Sequence, residues 1–271
     1  MKYWITFISI LVLIFILFII LHHIEVWINL ANFQRERIKH PKAQCKKVDN
    51  LLLCVVRRKK YFVNPLDAVV SKSLRNGHYW ETFMHKYFKK YSDNQGIALD
   101  IGANIGTHSI ILSDLFAKVH AFECQSQVFS ILSKNKEINN CDNLILHNIG
   151  LGESHGKQSL IKFDSSIPYN IGGVSIVKNK KSNREMGEQV EIIPLDSMEF
   201  DLPIRFIKMD VEGYELFVLK GAHKTISKYL PVIIFEEHNW FSPVFAKLKS
   251  FNYKIKAISR HDYLAIPPNK N

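Results

Sequence analysis

Residues 97–108 read IALDIGANIGTH, and this stretch decides the fold. The apolar residues around Asp100 predict a short buried strand, and the apolar spacing after Gly106 predicts a helix. Gly102 and Gly106 suit the sharp turn between the two elements, because a residue without a Cβ accepts positive φ and lets a ligand approach the backbone. The unpaired N–H groups that begin the helix favour a negatively charged ligand group. The turn is therefore a candidate ligand-binding loop.

A second predicted strand, VHAF at 119–122, ends at Glu123, roughly twenty residues after Asp100. A carboxylate at this spacing can accept hydrogen bonds from a ribose diol. Ala103 stands where a dinucleotide loop needs its middle glycine, and no Gly-Lys-Ser or Gly-Lys-Thr follows for a triphosphate. S-adenosylmethionine fits better, because its carboxylate suits the helix start and its ribose can reach Glu123.

Three longer stretches follow these motifs in order: IIPLDSM at 192–198, IRFIKMDVEGYELFVLKGA at 204–222 and LPVIIFEEH at 230–238. Together with IALDIGANIGTH and HAFEC, they resemble the FkbM-type methyltransferase family from about residue 79 to residue 263. The resemblance implies a class I S-adenosylmethionine-dependent O-methyltransferase that acts on a sugar, a glycan or another small polar acceptor. It also implies proline after the ribose-binding glutamate, where this chain has Cys124.

The predicted cofactor site combines the glycine loop, the acid after the second strand and a residue after the third strand. Its members are Asp100, Gly102, Ala103, Asn104, Gly106, Glu123 and Asn148. Asn148 is included because it falls where the edge of the adenine would lie.

Methyl transfer to an oxygen requires alignment of donor and acceptor and removal of a proton from the attacking hydroxyl. We predict Asp210, Glu236 and His238 as the catalytic residues, because they end or follow strands at the edge that holds the glycine loop. His238 is the predicted base, since its ordinary pKa is nearest to neutral. Asp210 and Glu236 would orient the acceptor or hold a divalent cation, although no clear metal motif occurs. The alternative is that Asp210 and Gly213 only shape the turn between strand and helix, with Glu212 and Glu215 as helix N-terminal charges.

The predicted fold is α/β: a Rossmann-like, seven-stranded sheet with helices on both faces over residues 79–266. The segment 157–193 has little helical periodicity and is predicted to be an insertion on the acceptor side. Residues 22–78 are predicted to form a basic membrane-proximal stem, with a possible hairpin of LLLCVV and YFVN.

An uncharged apolar run at residues 3–21 precedes the stem. As a helix it would span about 28 Å, close to the ~30 Å hydrocarbon core of a bilayer. The run is too long for the core of a cleaved signal, and no small-residue cleavage site follows it. We therefore predict a retained single-pass transmembrane helix.

The net charge of +11 is concentrated before the predicted methyltransferase motifs. Residues 1–99 hold 16 Lys or Arg against 6 Asp or Glu, whereas residues 100–271 hold 20 against 19. The basic stem could bind anionic lipid headgroups or could simply be solvated, and nucleic acid is the weaker interpretation.

Three features bear on the compartment of the domain. The cysteine spacing predicts no zinc site, and no glycosylation sequon occurs. Lys2 is the only Lys or Arg before the apolar run. These features favour a cytosolic domain and leave a luminal type II orientation open.

A non-catalytic, membrane-tethered binding module with the same fold is the alternative to the enzyme. Retention of Gly102, Gly106, Glu123 and Asp210 argues against it.

Overall fold

The computed structural model describes residues 43–161, 170, 173 and 186–268, with isolated positions at 19, 20, 23, 24 and 27. Most of the predicted transmembrane helix at 3–21 and most of the stem before residue 43 therefore lie outside the described residues. Within the described part of the chain, no helix is both long and apolar enough to cross a bilayer.

The regular elements are numbered in chain order. The described strands are β1 (Gln44–Val48), β2 (Leu51–Val56), β3 (Lys59–Val63), β4 (Asp93–Ile101), β5 (Phe116–Phe122), β6 (Leu144–His147), β7 (Gly150–Leu151), β8 (Gly156–Ile161), β9 (Met186–Ile193), β10 (Ile204–Met209), β11 (Val232–Glu236), β12 (Lys254–Ala257) and β13 (Asp262–Ile266). The described α-helices are α1 (Val70–Arg75), α2 (His85–Lys90), α3 (Thr107–Ser113), α4 (Ser126–Ile138), α5 (Glu215–Gly221), α6 (His223–Tyr229) and α7 (Pro243–Lys249).

A seven-stranded mixed sheet forms the centre of the domain, in the order β12-β13-β11-β10-β4-β5-β6. Strand β13 runs antiparallel to both of its neighbours, and the other neighbouring pairs are parallel. The central strands are apolar and buried on both faces, as parallel strands covered by helices must be. This sheet confirms the predicted seven-stranded α/β fold.

Helices cover both faces of the central sheet. One hydrophobic cluster joins the sheet to α1–α4, and a second joins its other face to α5–α7. The parallel strands all end at one edge of the sheet, and β13 begins there because it runs the opposite way. Side chains at that edge can therefore come from β4, β5, β10, β11 and β13.

A small antiparallel sheet, β1-β2-β3, packs on the helix face formed by α4. The amide of Asn135 in α4 donates to the Phe62 carbonyl at 3.0 Å, and its Oδ1 accepts from the Phe62 N–H at 2.5 Å. Tyr61 and Leu74 are fully buried in the same cluster as Phe88 of α2. The hairpin predicted within the stem is confirmed, and this part of the segment contributes to the domain core.

Cys45 and Cys54 form a disulfide between β1 and β2. They are direct cross-strand partners in the antiparallel register, with their Cα atoms 4.0 Å apart. The sequence analysis considered only metal spacing for the cysteines and did not predict this bond. Cys124 and Cys141 are free thiols.

The segment predicted as an insertion contributes most of β8 and all of β9 to a second small sheet with the order β7-β9-β8. Strands β8 and β9 are antiparallel, and β9 also pairs with the short strand β7. Between β8 and β9, only Asn170 and Gly173 are described.

The apolar spacing of the sequence predicts one helix over residues 79–91 and one over residues 215–229, and both differ from the structure. The helix predicted over 79–91 begins later, with a 3₁₀ turn at Thr82–Met84 followed by α2, because Glu81 adopts a left-handed conformation with φ of 48°. The helix predicted over 215–229 is divided into α5 and α6 near Gly221. A Cβ on Gly221 would lie 1.8 Å from the Gly152 carbonyl oxygen, so this end of α5 packs directly on the backbone after β7.

Candidate active site

A cleft opens at the edge where the parallel strands end, with about 1020 Å³ of empty space that is partly open to solvent. The glycine loop after β4 and the residues following β5 and β10 line it. Six charged side chains line the described walls: Glu81, Glu123, Lys208, Asp210, Glu212 and Glu236. The cleft therefore contains five carboxyl groups and one ammonium group.

The loop after β4 needs glycine at position 102 for two reasons. Its φ is 77°, in the region that disfavours other residues, and a Cβ would lie 1.8 Å from the Asp210 carbonyl oxygen. The N–H groups of Gly102 and Ala103 both donate to the Phe122 carbonyl, at 3.0 and 2.9 Å. Of the loop residues predicted to bind cofactor, Gly102, Ala103 and Asn104 line the cleft, whereas Gly106 does not; with φ of 87°, Gly106 immediately precedes α3.

Glu123 lies at the end of β5 and faces the loop. Its Oε2 accepts a hydrogen bond from the Asn104 N–H and its Oε1 accepts one from the Gln125 N–H, both at 2.9 Å. Burial raises the pKa of Glu123 to about 7, while the two backbone hydrogen bonds and Lys208 oppose the shift. A carboxylate has about four acceptor positions, so two remain for a diol.

Asp100 and Asn148, both predicted to bind cofactor, do not line the cleft. Asp100 is fully buried behind the loop, and its Oδ2 accepts a hydrogen bond from Ser109 Oγ at 2.5 Å. Asn148 donates from Nδ2 to the carbonyl oxygens of Glu123 and Cys124, at 2.9 and 3.3 Å. Asn148 therefore positions the backbone after β5, whereas Asp100 contacts the side chains of Ser109 and Lys208.

Lys208 is the only described cation in the cleft wall, and it was not predicted. Its ammonium donates to the Gly102 carbonyl at 3.1 Å and to Asp210 Oδ2 at 3.3 Å, and it lies 3.7 Å from Asp100 Oδ1. Burial alone would lower the pKa of Lys208, but the carboxyl groups of Asp210, Asp100 and Glu81 together raise it. One sequence feature could have revealed Lys208 as a site residue: it is a lysine inside the largely apolar strand β10, two residues before Asp210.

Asp210, Glu212 and Glu236 form a carboxylate cluster in the cleft. One oxygen from each residue lies within 4.8 Å of the others, so the structure brings the predicted pair Asp210 and Glu236 together. Burial, followed by the nearby Asp210, Asp262 and Glu212, raises the pKa of Glu236 to about 9. Three oxygen ligands of this kind could also hold Mg²⁺ or Ca²⁺.

Glu81 and His108 form a second pair, and neither was predicted in the site. His108 Nε2 lies 3.1 Å from Glu81 Oε2, and only 3% of His108 is exposed. Burial and then Lys208 lower the pKa of His108 to about 4, so the ring is neutral near pH 7 and shares a hydrogen bond with Glu81 through Nε2. Burial and the neighbouring Asp210 raise the pKa of Glu81 to about 8. No pattern in the sequence predicts the left-handed backbone conformation that places Glu81 here.

His238, the predicted base, lies at the rim of the cleft and not in its wall. Its side chain is 62% exposed, and its Nε2 lies 3.5 Å from Glu236 Oε1. The His261 ring packs 4.2 Å away, centroid to centroid. Through Glu236, His238 is linked to the carboxylate cluster.

The sheet order, the glycine turn after β4 and the acid that ends β5 together define a class I methyltransferase-like fold. The family described as "Methyltransferase FkbM domain" matches residues 100–263. The chain belongs to this FkbM methyltransferase family.

Characterised relatives cover part of the chain. It is 32% identical to the hexuronic acid methyltransferase AglP of Haloferax volcanii over 146 residues, which are 53% of this chain and 56% of AglP. It is 23% identical to Methyltransferase 1 of Beauveria bassiana over 192 residues, 63% of this chain and 76% of that protein. The chain thus spans little more than half of AglP.

Among solved structures, an FkbM methyltransferase from Methylobacillus flagellatus KT is similar, with a TM-score of 0.43 and 20% identity. That similarity covers 67% of this chain and 49% of the other. A putative methyltransferase from Streptococcus mutans, solved in complex with SAH, has a TM-score of 0.39 and 15% identity, over 67% of this chain and 92% of that one.

Proposed function

We propose that the protein is an S-adenosylmethionine-dependent O-methyltransferase whose acceptor is a hydroxyl of a sugar, a glycan or another small polar molecule. The observation that carries the proposal is the position of Glu123. Its carboxylate closes the glycine loop through the Asn104 N–H and keeps two acceptor positions for a ribose diol. Lys208, Asp210 and Glu236 line the same cleft, so donor and acceptor groups can meet there.

The cofactor would lie along the loop. Gly102, Ala103 and Asn104 would accommodate its amino-acid end, and Glu123 would bind its ribose. Apolar side chains line the cleft beyond Glu123 and could contact the adenine: Phe122, Ile149, Leu151 and Tyr214. S-adenosylmethionine supplies a methyl group on a positively charged sulfur. The acceptor oxygen gains that methyl group as its own hydroxyl proton leaves.

The acid cluster would direct that proton. Asp210, held by Lys208, would orient the acceptor hydroxyl, and Glu236 would pass the proton toward His238 at the solvent-exposed rim. A replacement of His238 by Ala should then lower turnover and leave S-adenosylmethionine affinity unchanged. If affinity and folding are lost together, His238 has a structural role.

A sugar acceptor is supported by the similarity to AglP, a hexuronic acid methyltransferase. Two exposed aromatic side chains in the loop after β11 also support a sugar acceptor. Trp240 is half exposed and Phe241 is 95% exposed, close in sequence to Glu236. Aromatic rings suit the apolar face of a sugar. A transfer assay with a labelled methyl donor and glucuronic acid as acceptor tests this; labelled product from wild type and none from Asp210→Asn is expected. Absence of labelled product from a protein that binds the donor would point to another acceptor class or to the binding module.

We further propose that residues 3–21 anchor the protein in a membrane and that the basic residues after them lie near anionic headgroups. We do not propose nucleic acid as a partner. The disulfide between Cys45 and Cys54 supports the luminal type II orientation over the cytosolic one that the charge pattern favoured, because disulfides persist in oxidising compartments. Protease protection of intact microsomes would decide: a protected domain supports the luminal orientation, and a digested domain supports the cytosolic one.

A further inference from the structure

We propose that Glu81 makes the cleft selective for the positively charged methyl donor over its uncharged product. The inference rests on the proposed function. S-adenosylmethionine carries a sulfonium, an ammonium and a carboxylate, so its net charge is +1, whereas S-adenosylhomocysteine lacks the sulfonium charge and is neutral overall. A residue that distinguishes the two must respond to charge at the sulfur.

The charge of the cleft wall favours the donor. Of the six charged side chains that line it, five are carboxyl groups and one is the ammonium of Lys208. Lys208 is already shared among Gly102, Asp210 and Asp100. Once these carboxyl groups have lost their protons, at a pH above their raised pKa values, the described lining residues hold no second cation to balance them, and a ligand that brings one positive charge would supply it.

Glu81 is the carboxyl group best fixed for this purpose. Its left-handed backbone, with φ of 48°, is uncommon for a residue with a Cβ, and it directs the side chain into the cleft. His108 Nε2 lies within hydrogen-bond distance of its Oε2, at 3.1 Å, and 17% of the Glu81 side chain is exposed. Glu81 lies on the chain segment before β4, outside the glycine loop and the strand ends. It can therefore act on the ligand's charge without forming the ribose or acceptor sites.

The test measures the dissociation constants of S-adenosylmethionine and S-adenosylhomocysteine for the full chain in detergent by isothermal titration, at about pH 8.5, above the pKa of about 8 of Glu81. Glu81→Gln keeps the shape and removes the charge. We expect the ratio of the two dissociation constants to shift about tenfold toward the product, mainly through weaker donor binding. Glu153→Gln is the matched control, since Glu153 is an exposed acid paired with Lys220 outside the cleft.

An equal loss of affinity for both compounds, or no change, would overturn the inference while leaving the proposed function standing. Absence of binding of either compound to a folded wild-type protein would overturn both. If Glu81→Gln does not fold, sinefungin provides the test on wild type, because it carries an amine in place of the sulfonium methyl. Its affinity should be closer to that of the donor than to that of the product, and the reverse order would contradict the proposal.

Discussion

At the scale of single residues, Glu123 and Lys208 differ in what their removal would show. Glu123 holds the loop by two backbone hydrogen bonds and faces the cleft, whereas Lys208 is 3% exposed and neutralises carboxylates. Replacement of Glu123 is expected to affect ligand binding, and replacement of Lys208 is expected to affect folding.

Replacement of Glu123 by Ala should weaken S-adenosylmethionine binding by about 1.5–3 kcal/mol, the usual contribution of a hydrogen bond to a charged group. Titration calorimetry on the folded variant measures this, with Glu153→Ala as the surface control. Unchanged affinity would remove Glu123 from the cofactor site.

Replacement of Lys208 by Met should destabilise the protein by about 3–5 kcal/mol, because Asp100 and Asp210 lose their buried counter-charge. Urea denaturation measures the free energy of unfolding. The matched control is Lys220→Met, whose exposed pair with Glu153 should contribute no more than about 1 kcal/mol. Equal effects of the two substitutions would mean that Lys208 is not paired as described.

The sequence predicted the part of the site that follows local rules. Five of the predicted residues end a strand or follow one within three residues, and parallel strands bring their ends to one edge: Gly102, Asn104, Glu123, Asp210 and Glu236. Glu81 lies far from the glycine loop in sequence and reaches the cleft only because its own φ is positive. Tertiary packing sets that conformation, so no local pattern could have revealed it.

At the scale of elements, the bounds of helices and strands depend on close contacts between backbones, which the periodicity of the sequence does not indicate. The largely apolar run at residues 204–209 predicts a strand, and β10 has these bounds in the structure because the run is buried on both faces. The continuous helix predicted over 215–229 was wrong at Gly221, where the Gly152 backbone lies too near for any side chain. The strand β1 has an exposed, polar sequence and was not predicted.

The disulfide between β1 and β2 should stabilise the small sheet by about 2–3 kcal/mol, since it closes a short loop in the unfolded chain. A reducing agent is expected to lower the Tm of wild type but not that of a Cys45→Ser, Cys54→Ser double variant. The control is Cys124→Ser, a free thiol whose replacement should leave the effect of the reductant intact. A wild-type Tm that does not respond to full reduction would contradict this role.

At the scale of the whole molecule, the acidic cleft makes stability depend on pH. The pKa values of Glu81 and Asp262 are raised to about 8, and that of Glu236 to about 9, mainly by burial. Between their ordinary values and these raised values, the folded protein binds more protons than the unfolded chain, so stability falls as pH rises. His108, whose pKa is lowered to about 4, has the opposite effect only below its ordinary value of 6.5.

Without ligand, the Tm should therefore fall as pH is raised from about 7 to 9, the range in which the acids lose their protons and His108 is already neutral. Thermal unfolding of the full chain across this range measures the slope, and Glu81→Gln should make it shallower. A Tm that rises over the same range would show that these carboxyl groups are ionised in the folded protein at neutral pH.

The central claim is that the cleft binds S-adenosylmethionine, and direct titration of the full chain in detergent tests it. We predict micromolar binding of S-adenosylmethionine and no binding of NAD, for which Ala103 leaves no close pyrophosphate approach. A folded protein that binds NAD, or that binds neither compound, would contradict the account.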